Sequence, residues 1–225
     1  MNFTVKETNR VEDIAEFLAS SILTELNKGK KVLFFVTGGS SVPIGTRVAK
    51  VLQEKAYEDS LENLTITLTD ERYGEVNHPD SNWYKLMESG FDLKGAKLIP
   101  ILTGDSKEVV LEKFNQILKD EFEKADYKVG LFGIGKDMHT AGILPESEAV
   151  YSKDFVGGYG TPQFSRITIT PRTIEKLDEA VVSLRGEEKK EVIKNLEKEN
   201  DINIEPAQIL KKVPKLSIFT NFKTE

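Results

Sequence analysis

Cysteine is absent from the sequence, which excludes disulfides, thiolate nucleophiles and cysteine-built zinc sites. Histidine is scarce: His78 and His139 are the whole complement, too few for a histidine-rich centre, and no metal is expected. No apolar run approaches the roughly 20 residues that span a bilayer. The opening MNFTVKETNR has no apolar signal core, so a cytoplasmic protein without a membrane partner is expected. Basic residues are not in excess, 31 Lys and Arg standing well mixed against 37 Asp and Glu for a net charge of −6. That balance argues against nucleic acid as the main partner and leaves room for a local basic pocket. Linkers, internal repeats and low-complexity stretches are missing as well, which points to one domain across residues 1–225.

Hydrophobic residues make up 39% and charged residues 30%, enough to bury a core beneath a charged surface. Apolar runs alternate with segments of helical period. This is the pattern of an α/β fold, a largely parallel sheet flanked by helices and Rossmann-like in layout. Spacing predicts a helix over 11–28, with Ile14, Leu18, Ile22 and Leu26 on one face and Gly29 as its stop. Further helices are expected over 44–55, 81–88 and 187–198. Asp105 and Glu108 have capping-box spacing ahead of a helix carrying Leu111, Phe114, Leu118 and Phe122. Strands are expected over 32–36, 64–69, 97–102, 127–134, 166–170, 180–184 and 216–220. Ligands of such sheets bind beyond the carboxyl ends of the strands, where the loops after Val36, Thr69 and Ile134 are expected to converge.

The first of these loops, Thr37-Gly38-Gly39-Ser40-Ser41-Val42-Pro43, joins paired glycines and hydroxyls to a helix N-terminus. That setting suits an anion, or a tight turn with a serine cap. It is neither a Walker loop nor a GxGxxG loop. In the second, Asp70 and Arg72 close a strand. A guanidinium there holds a phosphate or carboxylate by a two-pronged hydrogen bond, or joins a surface ion-pair cluster. His78, before Pro79 in a turn-rich stretch, is expected to be structural, and Asp80 and Ser81 to cap a helix. The third loop, Gly133-Ile134-Gly135-Lys136-Asp137-Met138-His139, sets a histidine two residues after an acid at the end of a buried strand. Imidazole is the side chain whose ordinary pKa suits both taking and returning a proton near neutrality. Lys189 and Lys190 oppose the dipole of the helix they open, a misfit that a bound phosphate relieves and that a solvated charge run also displays.

Five fragments then fall in a specific order: GGSSVP from Gly38, DERYG from Asp70 with HPDSN from His78, GIGKDMHTAGILP from Gly133, RITIT from Arg166, and GEEK from Gly186. In this order they resemble the 6-phosphogluconolactonase family, which belongs with the glucosamine-6-phosphate isomerases, from the first helix to the last strand. The resemblance implies that His139 activates water and that Asp137 shapes its loop. It implies that Gly38, Gly39, Ser40 and Ser41 cradle a 6-phosphate to which Lys189 adds positive charge. Arg72 and Asp70 would lie on the substrate side, Arg72 on phosphate or sugar chain, with Arg166 a further anion ligand. A small phosphosugar lactone as the partner, no cofactor, and a monomer or small homo-oligomer complete the expectation.

Two positions depart from the family pattern: Met138 stands where it has glycine, and Gly142 where it has serine. A methionine would be strained if that glycine had positive φ, and would narrow the pocket if the glycine made room for substrate. The isomerases pair their histidine with a glutamate five residues on, where this chain has Leu144. With no cysteine and no GxSxG elbow, direct attack of water on a lactone carbonyl is the expected chemistry. An isomerase or deaminase acting on an amino-sugar phosphate, and a sugar-phosphate sensor without catalysis, are the alternatives.

Overall fold

A computed structural model describes residues 3–57 and 59–224 of the chain. It begins with β1 (Thr4–Glu7) and α1 (Val11–Leu26), whose Ile14, Leu18 and Ile22 stripe is wholly buried; the chain leaves α1 through Gly29 at φ +75°. All five residues of β2 (Val32–Val36) are buried, as an unbroken apolar run requires when both faces of a strand are covered. After α2 (Val42–Lys55) come β3 (Leu64–Leu68), β4 (Asp70–Tyr73), α3 (Asn82–Glu88), β5 (Lys97–Ile99), α4 (Lys107–Lys124) and β6 (Tyr127–Phe132). The last third holds α5 (Glu148–Tyr151), β7 (Val156–Gly160), β8 (Ser165–Ile169), α6 (Pro171–Ile174), β9 (Glu179–Leu184), α7 (Lys190–Leu196) and β10 (Lys215–Thr220).

Seven strands form a parallel sheet in the order β1-β10-β9-β6-β2-β3-β5. From β2 the chain runs outward through β3 to β5, then returns to β6 on the other side of β2 and runs outward again. Strand order therefore reverses between β2 and β6, the place where an open α/β sheet leaves a crevice at its carboxyl edge. Phe34, Phe35 and Phe132 lie fully buried beneath it. Each contributes about 2–3 kcal/mol relative to exposure, and Phe34→Ala would cost about 3–5 kcal/mol. Among the described residues, no helix is long and apolar enough to cross a membrane.

The strand expected over 166–170 exists, but β8 belongs to a second, antiparallel sheet of order β4-β8-β7. Neither of its neighbours has a strand's hydrophobic signature. The Asp70–Tyr73 segment is charged, and Val156–Gly160 contains three glycines. Thr69 is the joint between the two sheets. Its N–H donates to Val36 O of β2 at 2.9 Å, and its carbonyl accepts from Ile169 N of β8 at 2.9 Å. The capping box at Asp105 does not form: Ser106 occupies the N-cap position, while Asp105 accepts from Lys113 Nζ and Thr103 Oγ1, each at 2.7 Å. Several elements are shorter than their periodicity predicts: the first helix ends at Leu26, the strand from Leu64 at Leu68, the strand from Lys97 at Ile99 and the strand from Tyr127 at Phe132, while the helix near Glu187 starts as a 3-10 turn before Lys190–Leu196.

Candidate active site

Beyond β2, Gly39 at φ +62° turns the chain into a 3-10 turn, Gly39–Ser41, that leads into α2. Ser41 sits at the N-cap of α2, yet its side chain makes no capping hydrogen bond, so the serine-cap reading of this loop does not hold. The loop instead sets its hydroxyls and the positive end of a 14-residue helix toward the crevice.

Across the crevice, the small sheet contributes Asp70 and Arg72 from β4 and Arg166 from β8. Arg72 and Arg166 are direct cross-strand partners. Arg166 Nη1 lies 3.8 Å from Asp70 Oδ2, with both side chains largely buried. Asp70 also accepts from Asn82 Nδ2, at 3.0 Å on its carbonyl and 3.3 Å on its carboxylate. Each arginine has a buried Nε without a hydrogen-bond partner. The neighbouring Glu71 faces the other way and is wholly buried. Its carboxylate accepts from Arg72 N, Ser81 Oγ, Asn82 N and Trp83 N, which ties the start of α3 to β4 and delivers Asn82 to the site. Burial pushes the Glu71 carboxyl above its ordinary value, and those four donors oppose the shift. His78 is structural, as its place in the sequence predicts, its Nε2 lying 2.9 Å from Arg72 O. Ser81 caps α3 by accepting from Tyr84 N, whereas the Asp80 carboxylate does not cap the helix and stands in a long ion pair with Lys85 at 3.9 Å.

At the end of β6 the chain folds back on itself. Gly135 N donates to His139 O at 2.9 Å, and Thr140 Oγ1 donates to Gly133 O at 3.0 Å. The turn brings His139 Nδ1 to 2.6 Å from Asp137 Oδ1. Burial raises the Asp137 carboxyl, but the charge and hydrogen bonds of His139 outweigh it, leaving Asp137 below its ordinary value. Beside an ionised Asp137 the ring carries a proton on Nδ1 as donor, and whenever it carries that proton alone its lone pair lies on Nε2. Lys189 reaches this loop from the start of α7, donating from Nζ to Ile134 O at 2.7 Å. Burial pulls its ammonium below the ordinary lysine value, and Glu188 and Asp137 restore only part of the loss.

Both departures at this loop have a geometric account. Met138 has φ +64°, the left-handed backbone that favours glycine, and its side chain is 2% exposed and away from the crevice. The expectation of strain is therefore met, and that of a narrowed pocket is not. Gly142 lies against the small sheet, its N–H donating to Thr168 Oγ1 at 3.0 Å and its carbonyl accepting from Tyr159 OH. A Cβ at 142 would stand 2.8 Å from Thr168 Cβ and 3.0 Å from Asp70 Cβ, closer than a side chain tolerates.

The three loops converge on one cleft of about 300 Å³. Gly38, Gly39, Ser40, Ser41, Asp70, Arg72, His139, Arg166 and Lys189 all line it, while Asp137 stands behind His139. Three cations thus face one lining carboxylate, in a chain whose net charge is −6. Sequence reasoning missed Asn82 and Thr37 as lining side chains. Asn82 sits inside the HPDSN fragment, but only the bonds to Asp70 and Glu71 reveal which way it faces. Among the described residues, no three His, Asp or Glu side chains converge on a point that would hold a metal ion.

The family model described as glucosamine-6-phosphate isomerases/6-phosphogluconolactonase matches residues 6–218. A 6-phosphogluconolactonase of Borreliella burgdorferi is 27% identical over 178 residues, 70% of this chain and 72% of that protein. One from Helicobacter pylori strain J99 is 27% identical over 200 residues, 84% of this chain and 81% of its own length. The crystal structure of a 6-phosphogluconolactonase from Shewanella baltica superposes with a TM-score of 0.81 at 20% identity, covering 97% of each chain, and establishes the shared fold. The chain belongs to the glucosamine-6-phosphate isomerase/6-phosphogluconolactonase family.

Proposed function

We propose that this cleft hydrolyses 6-phospho-D-glucono-1,5-lactone to 6-phosphogluconate. The observation that carries the reading is the His139–Asp137 pair set in one cleft with three cations, on a chain matched along most of its length by named 6-phosphogluconolactonases. Gly38, Gly39, Ser40 and Ser41 at the α2 N-terminus, with Arg72, Arg166 and Lys189, would hold the 6-phosphate. Asp70 would keep Arg166 in place and accept a sugar hydroxyl.

Anchored so, the lactone C1 lies within reach of a water beside His139, and positioning supplies a large part of the rate. Neutral His139 takes a proton from that water on Nε2 as its oxygen bonds to C1. Asp137 holds the ring in the required tautomer and stabilises the imidazolium. The tetrahedral oxyanion is met by backbone N–H groups of the glycine loops, each such donor being worth roughly 3 kcal/mol. The C1–ring oxygen bond then breaks, and His139 returns its proton to the departing ring oxygen. The product acid ionises to solvent. No step calls for a cofactor, and the proposal includes a single cytoplasmic enzyme domain acting as a monomer or small homo-oligomer.

The deciding measurement is hydrolysis of freshly made lactone above the spontaneous rate, with His139→Ala in parallel. Acceleration by the wild type alone supports the reading. Ammonia release from glucosamine 6-phosphate would favour the isomerase alternative, against which Leu144 stands; tight 6-phosphogluconate binding without turnover would favour a sensor. Lys189→Ala and Arg72→Ala are expected to raise KM with little change in kcat, and equal kcat losses in all three variants would overturn this division of roles.

A further inference from the structure

The two arginines of the cleft present an electrostatic difficulty. Arg72 and Arg166 are direct cross-strand partners on β4 and β8, and like charges so placed destabilise a sheet. Asp70 lies 3.8 Å from Arg166 Nη1, while among the described residues Arg72 Nη1 finds only the carbonyl of Asp80 at 3.4 Å. With the Nε atoms of both buried and unpaired, neither guanidinium is fully held by its polar contacts. What both share is an aromatic ring. Arg72 Cζ lies 5.1 Å and Arg166 Cζ 5.9 Å from the centroid of Phe164.

The register explains why one ring reaches both. Phe164 precedes Arg166 by two residues, so the two share a face as the chain enters β8. Arg72 stands opposite Arg166, which makes Phe164 its diagonal neighbour, a separation that an aromatic side chain bridges. A short turn locks the backbone of Phe164. Thr161 N and Thr161 Oγ1 donate to Phe164 O at 2.7 and 2.9 Å, and Phe164 N donates back to Thr161 Oγ1 at 2.9 Å. Pro162 stiffens the same turn. Phe164 itself does not line the cleft.

The geometry points to Phe164 as a positioning residue that holds Arg72 and Arg166 side by side as one anion grip. This rests on the phosphosugar reading above. The negative face of the ring offsets part of the repulsion between the guanidiniums and offers each a flat surface to rest on. The arginines are then set before the anion arrives, and the ordering cost of binding falls. Phe164 acts through the arginines and touches no reacting atom.

The test uses Phe164→Leu, which keeps apolar bulk and removes the ring, and Phe164→Trp, which keeps a ring face. Binding of 6-phosphogluconate and of inorganic phosphate is titrated for both variants and the wild type, beside lactone KM and kcat, with thermal melts to confirm folding. Removing both cation–π interactions at once should weaken affinity for both anions about five- to thirtyfold in Phe164→Leu. KM should rise in step, kcat should stay within about twofold, and Phe164→Trp should recover most of the affinity. Unchanged affinity in Phe164→Leu, equal losses in Leu and Trp variants, or a fall in kcat at constant KM would each overturn the proposal. If the wild type binds 6-phosphogluconate without turning over lactone, the lactonase reading fails while the titrations still decide the role of Phe164. If the wild type binds neither anion, the grip itself is refuted and the proposal with it.

Discussion

A Cβ on Gly135 would lie 2.1 Å from His139 Nδ1 and 2.4 Å from Asp137 Oδ1, so the bare backbone at 135 is what lets the imidazole meet its carboxylate. Gly135→Ala is expected to fold, since the atoms its Cβ would meet are side-chain ends that can swing away, but to push the ring off Asp137. A fall in kcat of about 10²-fold or more follows if the tautomer is lost, with 6-phosphogluconate affinity nearly unchanged. Steady-state kinetics beside a product titration check this; wild-type kcat would refute it.

Met138 supplies an ordering of stabilities. Its φ of +64° costs a non-glycine residue about 1–2 kcal/mol, while its buried side chain contributes about 2–5 kcal/mol over alanine. Met138→Ala keeps the strain and loses the packing. Met138→Gly loses the packing and relieves the strain. Chemical denaturation should therefore rank wild type above Gly above Ala, the reverse of the usual Ala-over-Gly order. Because Met138 does not line the cleft, kcat should change little in either variant that folds.

Gly142→Ser, which restores the residue of the family pattern, should be harmful here. Its Cβ would meet Thr168 Cβ at 2.8 Å and Asp70 Cβ at 3.0 Å. Overpacking of this kind costs about 1–3 kcal/mol, and displacement of Asp70 should loosen Arg166 and raise KM. Melting curves and KM together test it; a serine that leaves both unchanged would mean the loop moves away at no cost.

Two charged side chains, Lys189 and Asp137, give separate tests. Lys189 is cationic below its pKa, and burial sets that pKa under the ordinary 10.5. Affinity for 6-phosphogluconate should thus weaken as pH rises, starting below the ordinary lysine range, and Lys189→Arg should abolish the effect. Asp137 is held below its ordinary 3.8, so it stays ionised and keeps its pairing with the imidazole as pH falls toward that value. Asp137→Asn should lower kcat by about 10²–10⁴-fold with 6-phosphogluconate affinity nearly unchanged. A near-wild-type kcat in Asp137→Asn would contradict this pairing.

Legibility in the residues differs from element to element. The VLFFV run and the Ile14-Leu18-Ile22 stripe declare their elements because burial on two faces, or along one helical face, leaves a direct imprint on residue type. The Gly-rich loop and the histidine turn were legible as loop chemistry at strand ends, and the DER segment as site chemistry but not as the strand β4 that it forms. Asp105 misled because capping-box spacing also suits an acid that pairs with Lys113 farther along the helix.

The sequence by itself determined the alternation of strands and helices, the exclusion of cysteine chemistry, and which side chains had the functional groups for a phosphosugar site. Those properties are local: they depend on residue type and on spacing over a few positions. Tertiary structure alone decided the second sheet, the joint at Thr69, the delivery of Asn82 by Glu71, and the meeting of Arg72, Arg166 and Phe164. Each depends on register between strands far apart in the chain. Register is set by the joint packing of all the elements, so no single segment carries it in its own composition.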